Sequence, residues 1–278
     1  MVAFRKFLAL STVLCGFSAS ASATSNSFVY ASWNIGHFAL GGAGASKIKP
    51  ADGPARAEVY RAFLAEVGAD AIGVAEYSDA FTTDGAMRAP EAVFGKYPVF
   101  KVGPHNSYQW NSQFFREGKV VDSRTFDYPK RDQRVYYIAT RVEMAGREIV
   151  FVATHLDWKS PDKRADQLRI LAETFAGEKY VVVSGDFNVC CVGGKVVESP
   201  SAADEFAVFA KAGYSLANDG SLVTWPAGKL GTSPRRCAID NIMTKGFSIS
   251  DVKVWDRGDL SDHALISARL TFADKEAK

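Results

Sequence analysis

The stretch Tyr180-Val181-Val182-Val183-Ser184-Gly185-Asp186-Phe187-Asn188 constrains this chain more than any other. Four β-favouring residues, Tyr180 to Val183, read as a strand buried on both faces. The run stops at Ser184-Gly185, and two polar side chains follow, Asp186 and Asn188. A buried parallel strand ending in Gly-Asp-x-Asn brings a carboxylate and an amide to the carboxyl edge of a sheet. Open α/β folds place their chemistry at that edge. Gly, Asp and Asn are also ordinary turn residues, so this stretch alone fits a turn as well as a site.

The same pattern recurs along the chain. Phe28 to Ile35 reads as a strand containing Trp33-Asn34-Ile35, and Asp70 to Glu76 as a buried strand with an acid at its end. Pro54 to Val67 has helical periodicity through Val59, Phe63, Leu64 and Val67, with Gly68 as a stop. Short antiparallel strands are expected at Val99 to Val102, Gln113 to Phe115, Val120 to Val121 and Val135 to Arg141. Ile149 to Thr154 is another buried strand and runs into His155-Leu156-Asp157. Pro161 to Phe175 and Glu205 to Lys211 read as helices. Ala238 to Met243 starts a late strand containing Asp240, and Ala264 to Phe272 is the last, preceded by Ser261-Asp262-His263. Gly41 to Gly44 lacks the spacing of a phosphate-binding motif and reads as a loop.

The N-terminus reads differently. Arg5 and Lys6 form a basic n-region, Phe7 to Phe17 an apolar core, and Ala21-Ser22-Ala23 a small-x-small cleavage site. The apolar run is too short for a lasting bilayer anchor, and Leu14 before Cys15 does not suit a lipoprotein site. Residues 1–23 are therefore expected to be a signal peptide and 24–278 one mature domain, secreted or periplasmic, without a stable membrane anchor. Its length suits one large α/β domain. A monomer is the expected state. The chain has 33 Lys and Arg against 31 Asp and Glu. Losing Arg5 and Lys6 leaves the mature protein formally neutral. No global basic field draws in a polyanion, so any grip on phosphate is local.

Asn34, Glu76, His155, Asp186 with Asn188, Asp240, and Asp262 with His263 all sit at the ends of apolar strands. These residue types bind hard cations or move protons. Glu76, Asn34 and Asp262 offer oxygen ligands for Mg²⁺, with Mn²⁺ or Ca²⁺ as alternatives. No Cys/His ligand cluster points to zinc. His155 and His263, two of the four histidines, both stand near acids, and Asp240 is placed to orient one of them.

In order, Trp33-Asn34-Ile35, Ala75-Glu76, Thr154-His155-Leu156, Gly185-Asp186-Phe187-Asn188, Ile239-Asp240 and Ser261-Asp262-His263 resemble the motifs of the endonuclease/exonuclease/phosphatase superfamily. The resemblance spans residues 28 to 272. It implies a four-layer α/β/β/α sandwich, two facing mixed β-sheets flanked by helices, and Mg²⁺-dependent cleavage of a phosphoester. It makes Glu76 the main metal ligand, with Asn34 and Asp262 beside it. Asp186 and Asn188 would orient the attacking water and phosphoryl oxygens, and His155 would contact phosphate or act as general acid. His263, paired with Asp240, would be general base or phosphate clamp. Arg134 opens a strand as a phosphate-facing Arg does in relatives, though a solvated Arg fits as well, and Asn111 is a further candidate for substrate binding.

Cys191 and Cys237 resemble the disulfide positions of secreted pancreatic-type deoxyribonucleases, which makes a Cys191–Cys237 bond the expectation and adjacent Cys190 the alternative. The chain departs from that group at Ala75, where a Gln is usual, and at Ser78, where an Arg reaches the DNA groove. None of Gln109, Asn111 and Gln113 clearly replaces the Glu that partners the first histidine there. The expected activity is a secreted metal-dependent nuclease or phosphodiesterase, with nucleic acid as a candidate partner. A phosphatase or phospholipase-type hydrolase of inositol phosphates or sphingomyelin is the alternative, and a non-catalytic binding protein the third reading. Trp110, Trp158 and Trp225 are candidates for stacking on bases or sugars, though core or rim packing suits each as well.

Overall fold

The structure, a computed structural model, describes residues 26–38, 48–103, 111–128, 136–192, 195–196, 205–227 and 236–274. The expected signal peptide (residues 1–23), the 41–44 loop, Gln109, Trp110 and Arg134 lie outside them. In chain order the strands are β1 (Ser27–Asn34), β2 (Ala71–Ala75), β3 (Val99–Val102), β4 (Ser112–Phe115), β5 (Lys119–Asp127), β6 (Tyr136–Met144) and β7 (Arg147–His155). They continue as β8 (Val181–Asp186), β9 (Cys191–Val192), β10 (Lys195–Val196), β11 (Ser215–Leu216), β12 (Asp240–Lys245), β13 (Phe247–Trp255) and β14 (Leu265–Phe272). The helices are α1 (Gly53–Val67), α2 (Ala89–Ala92), α3 (Pro161–Thr174) and α4 (Ala207–Lys211).

Two mixed six-stranded sheets result, ordered β13-β14-β1-β2-β4-β3 and β11-β12-β8-β7-β6-β5. Read from opposite ends, the orders match element by element. Each sheet has a hairpin (β13–β14, β5–β6), then a parallel pair joined through a long helix (β1-α1-β2, β7-α3-β8), then an antiparallel strand (β4, β12). Glu76, just past β2, thus corresponds to Asp186 at the end of β8.

Three apolar clusters fill the spaces between four layers. Trp33, Ile72 and Val74 meet Tyr60, Phe63 and Leu64 of α1. Phe28, Tyr30, Phe151, Val182, Ile242 and Ile266 pack between the sheets. Val150, Val152, Val181 and Val183 pack beneath Leu168 and Leu171 of α3 and Phe209 of α4. This is the expected α/β/β/α sandwich.

Strand parity decides which residues reach the site, because alternate side chains point to opposite faces. Phe28 and Tyr30 face the other sheet, so Asn34, two steps of two further on, does too. Phe151 carries His155 to that face in the same way, Val182 carries Asp186, and Ile242 carries Asp240. Four polar residues therefore meet at one mouth of the cleft between the sheets. Glycine permits the approach. A Cβ on Gly73 would collide with Ser184 and Tyr30, whose hydroxyls bond at 2.8 Å across the sheets. At Gly185 (φ 148°) a Cβ would overlap the Thr154 carbonyl, so only glycine can precede Asp186 there.

The structure extends several expected strands. Val120 to Val121 becomes the nine-residue β5, and β13 was not foreseen. In β13, Ser248, Ser250, Asp251 and Lys253 break the apolar signal, and a bulge interrupts its register between Ser250 and Lys253.

Candidate active site

Asp186 is where the site converges. Its Oδ2 accepts from Asn34 Nδ2 at 3.0 Å and lies 3.3 Å from His155 Nε2 and 3.7 Å from His263 Nε2. Its Oδ1 accepts from the Asn188 amide at 2.9 Å. The side chain is only 3 % exposed. Asn34 comes from the first sheet and His155 from the second, so the carboxylate joins the two halves.

His263 reaches over from the first sheet to the second. Its Nδ1 lies 2.9 Å from Asp240 Oδ2. The backbone is fixed on both sides: Trp33 Nε1 donates to the His263 carbonyl at 3.1 Å, and the His263 amide donates to Ser261 Oγ at 3.1 Å. Ser261 in turn donates to the Asn34 carbonyl at 2.7 Å. Burial alone would lower the His263 pKa. The charge and hydrogen bond of Asp240, with the charges of Asp186 and Asp262, outweigh it and push the pKa up to about 10. Burial raises that of Asp240, against the charge of His263. At neutral pH the ring is an imidazolium whose Nε2–H faces Asp186. In that state it can clamp an anionic oxygen but cannot take a proton from water.

Glu76 occupies the corresponding position beside β2 and is arranged differently. Strand parity would send it toward the α1 layer, but its φ of 50° turns the chain. A non-glycine residue in that region is a local cost that recurs at functional sites. Its side chain is 22 % exposed, and its approaches among the described residues are long, His37 Nε2 at 3.8 Å and His155 Nδ1 at 3.9 Å. The His37 amide donates to the Glu76 carbonyl at 2.6 Å. Asp262 stands at the same rim. Its Oδ2 accepts from Trp225 Nε1 at 3.4 Å, and its Oδ1 lies beside Gly36. Asn34 Oδ1 accepts from the Gly36 amide at 3.1 Å, which leaves its second lone pair available.

Oxygen donors from Glu76, Asn34 and Asp262 suit a hard divalent cation. His155 Nδ1 is buried and has no hydrogen-bond partner among the described residues. Spacing alone also groups Asp186, Asp240 and His263, whose ligand atoms lie within 4.8 Å of one another. Within that trio His263 Nδ1 and Asp240 Oδ2 already engage each other at 2.9 Å.

The surrounding loops hold these groups in place. Asn188 (φ 49°) donates through Nδ2 to the Leu156 carbonyl at 3.0 Å, so its amide braces the loop after His155. Arg164 is fully buried. It pairs with both oxygens of Glu205 at 2.8 and 3.0 Å and donates to the carbonyls of Asp157 (3.1 Å) and Cys191 (2.7 Å). One guanidinium thus ties together the loops after β7 and β8. The sequence placed Arg164 on a helix turn but gave no sign of this.

The expected Cys191–Cys237 disulfide is corrected: the bond joins Cys190 to Cys237. Cys190 (φ 76°) is among the apolar residues beneath α3 and α4, together with Cys237. Cys191 instead begins β9, is buried, and lies with its Sγ 3.5 Å from Asn188 Oδ1. Asn111 is fully buried and donates through Nδ2 to the Tyr136 carbonyl at 2.8 Å. Of the tryptophans, Trp225 packs near His263 with ring centroids 6.5 Å apart. Trp158, three residues past His155, is 42 % exposed. His37 was missed by sequence reasoning. Its only signal was its place three residues after Asn34.

Fold and site together define a phosphoesterase scaffold. The chain belongs to the Endonuclease/Exonuclease/phosphatase family, whose profile matches residues 31–263. Among solved structures it is similar to an endonuclease/exonuclease/phosphatase from Beutenbergia cavernae, at 18 % identity and a TM-score of 0.66, covering 89 % of this chain and 72 % of that one. A humanized D. rerio TDP2 is similar at 15 % identity and a TM-score of 0.66, covering 89 % of this chain and 100 % of the other. D. rerio TDP2 complexed with single strand DNA product gives 17 % identity, a TM-score of 0.66 and coverages of 89 % and 100 %. These likenesses establish the fold. Among curated proteins nothing matches the sequence.

Proposed function

We propose that this protein is an exported, divalent-cation-dependent phosphodiesterase of the nuclease type. The observation that carries the reading is the convergence on Asp186 Oδ2 of Asn34 at 3.0 Å, His155 at 3.3 Å and His263 at 3.7 Å, drawn from both sheets. Nitrogen donors around one carboxylate suit a phosphoryl group attacked by water. A solved D. rerio TDP2 in the same fold holds single strand DNA product, which supports a nucleic-acid phosphodiester. The Cys190–Cys237 disulfide and the leader-like N-terminus support export to an oxidising compartment. No helix among the described residues is long and apolar enough to cross a membrane.

In this reading Glu76, Asn34 and Asp262 hold Mg²⁺ or a similar ion, which supplies charge stabilisation to the phosphoryl oxygens when bound. Asp186 positions the attacking water and accepts its proton. Asn34 and Asn188 fix that carboxylate. His263 presents its imidazolium Nε2–H to a phosphoryl oxygen, with Asp240 holding the ring. His155 presents Nε2 to the same space, and the leaving oxygen is protonated from solvent.

Ser78 and the neutral mature charge favour a second reading, a small phosphoester as substrate. Both are tested by hydrolysis of plasmid DNA, a single-stranded oligonucleotide, a bis-nitrophenyl phosphodiester and a phosphomonoester, with Mg²⁺ or EDTA. The proposal expects cation-dependent turnover of oligonucleotide and bis-nitrophenyl ester. Turnover of the monoester alone replaces it with the second reading, and turnover unaffected by EDTA removes the ion from it.

A further inference from the structure

The Glu76 carboxylate lies between two imidazoles. His37 Nε2 is 3.8 Å from one oxygen and His155 Nδ1 is 3.9 Å from the other. Both distances exceed a hydrogen bond. Both fall within the span that two donors can bridge through one ion, since two bonds of about 2.1 Å reach at most about 4.2 Å. The histidine side chains are 7 % and 6 % exposed, so neither is a mobile surface ring. His155 Nδ1 has no partner among the described residues and points toward Glu76. His37 is held there at local cost. It has φ 54°, sits between Gly36 and Phe38 which also have positive φ, and its amide bonds the Glu76 carbonyl at 2.6 Å. That bond locks the His37 turn to the residue its ring approaches.

We propose that His37 is a nitrogen ligand of the ion at Glu76, and that it tunes the site toward a transition-metal cation and away from Mg²⁺. The inference rests on the reading of Glu76 as an ion ligand. Carboxylate and amide oxygens suit Mg²⁺, whereas imidazole nitrogen favours the later first-row divalent ions. With His37 the site offers nitrogen as well as oxygen, and its discrimination follows from that one side chain.

The test is equilibrium binding of Co²⁺ and of Mg²⁺, each alone, to the metal-free full-length protein by calorimetry. His37→Asn is the variant, because asparagine tolerates the positive φ. His37→Asn is expected to weaken Co²⁺ binding by about 10–100-fold, the range found when groups around a metal site are removed. Mg²⁺ affinity should stay within about threefold, a change under 1 kcal/mol. Equal losses for both ions, or no loss for Co²⁺, overturn the proposal. A gain for both overturns it too, since that is the result if His37 is only an ion-pair partner of Glu76. Pulsed EPR of the Mn²⁺-loaded wild type needs no variant to fold: imidazole nitrogen coupling is expected, and its absence overturns the proposal. Glu76→Gln separates the two readings. If it leaves binding of both ions intact, the ion site itself is misassigned. If it weakens both while His37→Asn changes neither, only the role of His37 falls.

Discussion

Asp186 and Glu76 end corresponding strands of two sheets with the same order, and the molecule treats them in opposite ways. Asp186 is almost sealed and accepts from the Asn34 side chain and the Asn188 amide at 3.0 and 2.9 Å. Glu76 is 22 % exposed, and among the described residues its side chain makes only approaches of 3.8 and 3.9 Å. The Asp186 rim is wired in advance, through the Asp240–His263 pair at 2.9 Å and the Arg164 clamp behind it. The Glu76 rim is held by backbone strain and leaves its oxygens uncommitted. Under the proposed function one fold position serves two purposes: fixed charges for handling water and phosphate, and loosely engaged donors for an ion.

The largest expected effect strikes the wired half. Asp186→Asn removes the carboxylate on which the site converges, the proton acceptor of the proposed function, and should lower kcat by about 10⁴-fold, the upper end for a positioned acid–base group. Steady-state kinetics on the oligonucleotide checks this, and a loss of under tenfold breaks the contrast.

Next comes the Asp240–His263 pair. Asp240→Asn and His263→Ala should each cost about 10²–10³-fold in kcat, and the double variant no more than the worse single, as for groups that act as a unit. A double loss equal to the product of the two single losses shows that they act independently. The pair should also mark the pH dependence of stability. His263 has a folded pKa raised to about 10, above the usual value of about 6.5. The stability it confers is fully present below about pH 6.5 and is lost as pH rises through about 10. Melts of wild type and His263→Gln in EDTA should therefore differ most at pH 6 and converge by about pH 10.5. A difference that widens with pH contradicts the sign.

Arg164→Met should cost about 3–5 kcal/mol of stability, because it strands Glu205 beside an apolar side chain. Glu76→Gln should cost under about 1 kcal/mol, as a partly exposed group with no short bonds. Urea titrations measure both, and equal costs would erase the difference in wiring. Between these two, Cys190→Ser should lose about 2–4 kcal/mol with its disulfide, and Cys191→Ser about 1 kcal/mol. Peptide mapping of non-reduced protein should find Cys190 joined to Cys237.

Much of the wired half was legible in the sequence. Buried strands with period two carry Asn34, His155, Asp186 and Asp240 to one face, and apolar runs ending in single polar residues reveal the strand ends. What was illegible depends on backbone turns and long-range contacts that leave no periodic trace. Positive φ at Glu76, His37 and Cys190 redirects each side chain away from where its neighbours point. That is why His37 was missed and why the choice between adjacent cysteines went to the wrong one. Arg164 looked like any helix arginine, because its partners are backbone carbonyls and an acid 41 residues away. Asn111 donates through Nδ2 to the Tyr136 carbonyl while its Oδ1 has no hydrogen-bond partner among the described residues, a contact no periodic pattern announces.

Under the proposed function the ion belongs to the Glu76 rim and the proton chemistry to the Asp186 rim. Binding of Mn²⁺ to metal-free Glu76→Gln and Asp186→Asn, followed by EPR, tests it most directly. The expected result is a loss of Mn²⁺ affinity of about tenfold or more in Glu76→Gln, with Asp186→Asn binding within about threefold of wild type while its turnover is lost. The opposite pattern, Mn²⁺ lost with Asp186 and retained without the Glu76 carboxylate, would place the ion among Asp186, Asp240 and His263 and contradict the account.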